Sequence, residues 1–187
     1  LRRHLTPAQV GNIRDALLQH KVLFFREQNI SHDDHVRFGR YFGELEGHPV
    51  TAHVPNYPEI LSIEAADGMK ITEATLPIAR PANKWHTDVT FRGKPSMGGV
   101  LRMRKRPPLG GDTLFASLCA AYEGLAPGLK TMCEPLVALH SLSGIYGPDG
   151  RGGIGTTKPF GLAESPRGLD EQMLEQIRRR VEHPLIC

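Results

Sequence analysis

Apolar residues recur at Val10, Ile13 and Leu17 behind the run Thr6-Pro7-Ala8-Gln9. That spacing predicts a helix reaching His20, with Thr6 as cap, Pro7 at the first helical position and Gln9 completing a capping box. Lys21-Val22-Leu23-Phe24-Phe25 is apolar, β-branched or aromatic after its first residue and too short for a helix, so it reads as a buried strand. A second helix is predicted from Ser31 to near Gly43, with Phe38, Tyr41 and Phe42 on its buried face. Beyond it the pattern changes to short candidate strands at residues 60–65, 85–91, 99–104 and 113–116, separated by Pro- and Gly-bearing loops. That succession predicts a sandwich or barrel of strands with helices packed outside. Helical stretches follow at 117–125 and 128–133, then a strand at 136–140 and a last helix over 169–181 with Met173, Ile177 and Val181 on one stripe. Residues 141–168 are rich in Gly, Ser and Pro and too long for a plain connector, which predicts a mobile lid loop.

Composition narrows the class. The 187 residues are 40% apolar and 23% charged, with 20 Gly and 15 Pro, values that exclude a disordered tail, a collagen-like repeat or a coiled coil. One domain spanning residues 1–187 is expected. No apolar run approaches the roughly 20 residues needed to cross a bilayer, and the opening LRRHLTPAQV lacks the apolar core of a secretion signal. A cytoplasmic protein without a membrane partner is therefore expected. Cys119, Cys133 and Cys187 are odd in number and widely spaced, which fits reduced thiols rather than a disulfide frame or zinc knuckle. The chain opens at Leu1 rather than Met and stops at Cys187 inside what reads as a strand, as a fragment would.

The first candidate for chemistry is the pair His86 and Asp88 within Trp85-His86-Thr87-Asp88-Val89-Thr90-Phe91. On a strand, residues two apart share a face, so His86, Asp88 and Thr90 would point one way and Trp85, Val89 and Phe91 the other. An imidazole beside a carboxylate supplies two of the three ligands of a two-His, one-carboxylate iron(II) site. The spacing alone is weak, because nine His and eight Asp in 187 residues give on the order of 0.4 such pairs by chance. A second pair, His32 and Asp34, has the same spacing but opens a helix, where positions two apart diverge. There Asp33 and Asp34 read as first-turn acids complementing the helix dipole, and His32 and His35 as solvated surface. In Gly110-Gly111-Asp112-Thr113 two glycines permit a tight turn before a strand that bears a hydroxyl, and no GK[ST] follows to make it a phosphate loop.

Taken together, HKVLFFREQ (20–28), FGELEGHPV (42–50), WHTDVTF (85–91), GGDTLFASLCAAYEGL (110–125) and EHPLI (182–186) resemble the taurine dioxygenase family of iron(II)- and 2-oxoglutarate-dependent oxygenases over almost the whole chain. The resemblance implies a mainly β fold with flanking helices, a double-stranded β-helix or jelly roll, here incomplete at its C-terminus. It implies His86 and Asp88 as iron ligands, Thr113 on the 2-oxoglutarate carboxylate, and His48 with the backbone of Val89 at the substrate. By itself, a lone histidine before Pro49 fits a structural loop as well as an anion holder. The family's third ligand, a distal histidine, and its 2-oxoglutarate-pairing arginine lie beyond the EHPLI segment, in a stretch absent from this chain. His140 and His183 match other family positions and are not promoted to ligands. The implied reaction consumes O2 and 2-oxoglutarate and releases succinate and CO2 while hydroxylating a small anionic substrate such as taurine, an alkyl sulfonate or an alkyl sulfate. Trp85, Phe91 and the 141–168 loop would wall and cover the pocket, and family analogy implies a homo-oligomer.

Two alternatives stand beside the oxygenase: an inactive protein with the oxygenase fold, or a basic binding module. For the latter, Arg102, Arg104, Lys105 and Arg106 cluster before Pro107, and Arg178 to Arg180 end the last predicted helix. Arg102, Arg104 and Arg106 alternate with Met103 as an outward strand face would, and terminal arginines offset a helix dipole. No aromatics are interleaved for base stacking, and a net charge of +3 does not call for a polyanion, so no nucleic-acid partner is expected.

Overall fold

The computed structural model describes residues 1–47, 53–63, 85–106, 108–109, 112–142, 175 and 178–186. The chain divides into two compact units, one formed by Leu1–Glu46 and Gly98–Met132 and the other by Gly47–Met97 and Cys133–Cys187.

In the first unit, α1 (Pro7–His20) begins with the predicted capping box: the Thr6 hydroxyl accepts from the Gln9 amide, and the Gln9 side chain accepts from the Thr6 amide. Its end is set by Lys21, which adopts φ 67° and returns its amide to the Leu17 carbonyl. The strand expected over 21–25 does not form. That left-handed turn releases the chain into an irregular segment, and aromatic packing replaces ladder bonding, with Phe24 edge-on to Phe115 at 6.1 Å and Phe25 edge-on to Phe38 at 5.5 Å.

Helix α2 (His32–Arg40) carries a second capping box, in which Ser31 Oγ accepts from the Asp34 amide at 3.0 Å and Asp34 Oδ2 accepts from the Ser31 amide at 2.9 Å. Phe38 is buried, 5% exposed, and packs on Phe42, while Ile30 and Val36 complete this small core. The helix ends at Arg40, short of the expected Gly43. The strands expected at 99–104 and 113–116 are also not present. Around Val100 side chains take up bonding groups instead: its carbonyl accepts from His35 Nε2 at 2.8 Å, and Arg104 Nη1 lies 3.2 Å from His32 Nε2. Arg102 is half-buried rather than outward-facing, and burial pushes its pKa down from the usual value, with Arg104 adding to the shift. His32 and His35 are half-buried and hydrogen bonded, which corrects their reading as solvated surface. Helix α3 (Leu118–Glu123) is capped by Ser117 and followed by α4 (Pro127–Cys133).

The second unit holds two antiparallel ribbons. Strands β1 (His53–Val54) and β2 (Tyr57–Leu61) are joined by Pro55-Asn56, with Asn56 at φ 66°, a conformation this residue tolerates. Strand β3 (Val137–Ser141) lies within one residue of its predicted position and pairs with β4 (Arg180–Pro184) from Val137↔Pro184 to Ser141↔Arg180. The last helix predicted to reach Val181 is thereby corrected. Glu175 and Arg178 are helical, but from Arg180 the chain is a strand and Val181, 8% exposed, is buried by its pairing and packing. Leu142, which follows β3, is the most deeply buried apolar residue of those described at 2% exposed. Ser141 closes β3 rather than opening a loop, and residues 143–168 of the expected lid lie outside the described residues. Among the described residues no helix is long and apolar enough to cross a membrane.

Candidate metal centre

The segment that carries His86 and Asp88 is not the expected strand. Residues 85–87 are irregular and 88–91 form a turn. Immediately after Asp88, Val89 takes a left-handed φ of 52°, a conformation that β-branched residues rarely adopt. That reversal ends any strand alternation beyond Asp88 and is closed by a hydrogen bond from the Arg92 amide to the Val89 carbonyl at 3.1 Å. His86 and Asp88 nonetheless come together, with His86 Nε2 3.4 Å from Asp88 Oδ1.

This distance suits a shared cation. Two donors on one ion with bonds of about 2.1 Å stand about 3.0 Å apart at a right angle and about 3.4 Å at the tetrahedral angle. The side chains are 51% and 89% exposed, so neither is buried in other packing. Imidazole and carboxylate are also the donor types that ferrous iron takes. The pair therefore fits two adjacent metal ligands. Among the described residues no group of three His, Cys, Asp or Glu is placed to hold an ion.

The turn is tied down from two sides of its unit. Arg92 Nη2 donates to the Gly47 carbonyl at 2.6 Å, and Gly47 itself sits so close to the Pro58 carbonyl that a Cβ there would approach to 2.8 Å. From the β3–β4 ribbon, His183 Nε2 donates to the carbonyls of Thr90 at 2.9 Å and Arg92 at 3.0 Å, and His140 Nδ1 lies 2.9 Å from Thr90 Oγ1. The two imidazoles meet edge to face, with centroids 5.3 Å apart. Reasoning from sequence missed both as supports of this turn. A histidine in the alternating β3 pattern is visible, but its meeting with His183 depends on a register set some forty residues away.

Trp85 and Phe91 belong to the same segment as the pair. Trp85 is 70% exposed and Phe91 half-buried. Thr113 is exposed in the irregular stretch 112–117 of the first unit, and His48, Gly110 and Gly111 lie outside the described residues. Hollows of about 350 Å³, along Leu1, Arg2, Glu27 and Gln28, and about 280 Å³, along Ile13, Leu23 and Phe24, also belong to the first unit and contain no His–Asp pair.

The model of the taurine catabolism dioxygenase TauD, TfdA family matches residues 2–187. The chain belongs to this family. Curated relatives include the alkylsulfatase of Acinetobacter baylyi, 36% identical over 79% of this chain and 43% of the relative. The alpha-ketoglutarate-dependent sulfate ester dioxygenase of Pseudomonas putida is 35% identical over 73% of this chain and 42% of the relative. The alpha-ketoglutarate-dependent 2,4-dichlorophenoxyacetate dioxygenase of a Burkholderia species is 33% identical over 73% and 48%. A crystal structure provisionally described as an alpha-ketoglutarate-dependent taurine dioxygenase from Burkholderia xenovorans superposes with TM-score 0.66 at 34% identity, covering 98% of this chain and 51% of that one. The chain spans about half the length of the relatives it matches. The family is one of dioxygenases, hence oxidoreductases, and the Pseudomonas putida and Burkholderia relatives are alpha-ketoglutarate-dependent by name.

Proposed function

We propose that the protein is an iron(II)- and 2-oxoglutarate-dependent dioxygenase that hydroxylates a small anionic substrate, such as taurine, an alkyl sulfonate or an alkyl sulfate. The observation that carries this reading is the 3.4 Å juxtaposition of His86 Nε2 and Asp88 Oδ1 in a chain of this family. Bound iron(II) would supply the chelation site for 2-oxoglutarate and the activation of O2, with succinate and CO2 as co-products. His86 would give a neutral nitrogen donor and Asp88 an anionic oxygen, which together offset one unit of the metal's charge. Thr113 is assigned to the 2-oxoglutarate carboxylate, and His48 with the Val89 backbone to the substrate's anionic group, on the family match alone. The fold assigned to the complete catalytic domain is the double-stranded β-helix of that family. Relatives named for sulfate esters, sulfonates and an aryloxyacetate alike support a small organic anion as the substrate class.

Anaerobic titration with iron(II) and 2-oxoglutarate tests the reading. A visible charge-transfer band that needs both additions, and that sharpens on adding the organosulfur substrate, is the expected outcome. Absence of any band, with no change of intrinsic fluorescence on metal addition, would defeat it.

A further inference from the structure

We propose that His183 and His140 are positioning residues for the His86–Asp88 centre, holding the turn that carries Asp88 from the β3–β4 ribbon; this rests on the metal reading above. The geometry argues it in three steps. First, both contacts of His183 Nε2 are carbonyl oxygens, Thr90 at 2.9 Å and Arg92 at 3.0 Å, so this nitrogen must carry a proton and the ring's orientation is fixed by a forked donation. Second, His140 Nδ1 lies 2.9 Å from Thr90 Oγ1, so Thr90 is held through its side chain and its main chain at once. Third, the turn so held contains Val89 at φ 52°, and such a conformation persists in a β-branched residue only where its surroundings over-determine it.

The register explains how one ribbon supplies both rings. His183 pairs with Ala138, so His140 stands diagonally beside it on the same face, and the rings pack edge to face at 5.3 Å. Ala138 and His140 are half-buried on that face, whereas Val137 and Leu139 on the other are exposed. The ribbon therefore presents its polar, hydrogen-bonding pair to the turn. Outer partners bonded directly to a ligand typically contribute 10- to 100-fold to metal binding; His183 and His140 act one step further out, through Thr90 and Arg92, so their effect belongs at the low end of that range.

The test uses cobalt(II) as a spectroscopic stand-in for iron(II) on the protein and on His183→Leu, His183→Gln, Thr90→Val and His86→Ala. His183→Leu keeps bulk and deletes the donor; it should weaken cobalt binding by about 10-fold and alter the visible ligand-field band. His183→Gln offers an N–H near the position of Nε2 and should restore binding to within about 3-fold, at a melting temperature no higher than that of the leucine variant. Wild-type affinity in His183→Leu overturns the inference, as does parallel loss of affinity and melting temperature in both variants, which marks a packing role. Should His183→Leu fail to fold, Thr90→Val decides: it removes only Oγ1 from the site, roughly 3- to 10-fold weaker binding is expected, and unchanged binding overturns the proposal. The His86→Ala control separates the two readings. If it leaves cobalt binding intact, the metal centre itself is wrong and the inference falls with it; if it abolishes binding while His183→Leu does not, only the positioning role falls.

Discussion

His32-Asp33-Asp34 and His86-Thr87-Asp88 have the same spacing and the same end residues, yet their surroundings direct them to different work. At the start of α2 the Asp34 carboxylate is consumed by the helix: one oxygen accepts from the Ser31 amide and the other pairs with Arg37 at 2.6 Å. His32 is half-buried with its Nε2 3.2 Å from Arg104. In the turn at 85–91, His86 and Asp88 face each other at 3.4 Å and stay open to solvent. A helix turns positions two apart away from each other, whereas the irregular segment 85–87 leaves His86 and Asp88 within 3.4 Å. Backbone geometry, rather than residue spacing, therefore separates a capping acid from a candidate ligand.

The largest expected effect breaks the pair that is available for metal. His86→Ala or Asp88→Ala should weaken metal binding by at least about 100-fold, beyond the range of outer-partner substitutions, and abolish substrate-dependent succinate formation. His32→Ala should leave metal affinity within about 3-fold of the parent protein. Equal losses from the two histidines in a competitive chelator titration would erase the distinction drawn above.

A smaller effect sharpens the other side. Ser31→Ala removes a cap and should cost about 0.5–2 kcal/mol of stability by chemical denaturation, with no change in metal affinity. The pH dependence is signed by Asp34, whose pKa is lowered to about 2 from the ordinary 3.8, chiefly by the Ser31 amide and then by Arg37. A depressed carboxylate contributes stability that is fully present above the unfolded value and is lost as pH falls through the folded one. Stability should therefore decline between about pH 4 and pH 2, and Asp34→Ala should flatten that part of the curve. An unchanged slope in the variant would remove Asp34 from the role assigned to it.

These two sites also mark what could be read without coordinates. Helices α1, α2 and α3 announce themselves because Thr6, Ser31 and Ser117 act within three or four residues of themselves. The expected strands at 21–25, 99–104 and 113–116 fail because a strand is a relation between distant segments: Val22, Leu101 and Leu114 have the right side chains and no ladder. Strand β4 was hidden for the converse reason, since an apolar stripe at helical spacing ran into Val181 and only pairing with β3 decides otherwise. The His86–Asp88 pair was legible by residue type, yet the strand argument that singled it out does not hold; residues 85–87 are irregular, and the turn that begins at Asp88 needs Val89 in a conformation its sequence disfavours. His140 and His183 were legible only as histidines out of place for ligation, because their shared target, Thr90, depends on tertiary contacts.

The smallest expected effect concerns Val89, where three magnitudes nearly cancel. A strained non-glycine backbone costs about 1–3 kcal/mol, which glycine would relieve. Against that, glycine loses roughly 0.5–1 kcal/mol more conformational entropy on folding, and removing a half-buried valine side chain forfeits part of the roughly 1.5–3 kcal/mol of full burial. Val89→Gly should therefore lie within about 1 kcal/mol of the parent in denaturant melts. At an unstrained strand position the same change would lack the compensating relief and cost substantially more. A loss above about 3 kcal/mol would mean that Val89 is held by packing rather than strained. The turn that follows Asp88 would then be fixed by what surrounds Val89 and not balanced against backbone strain.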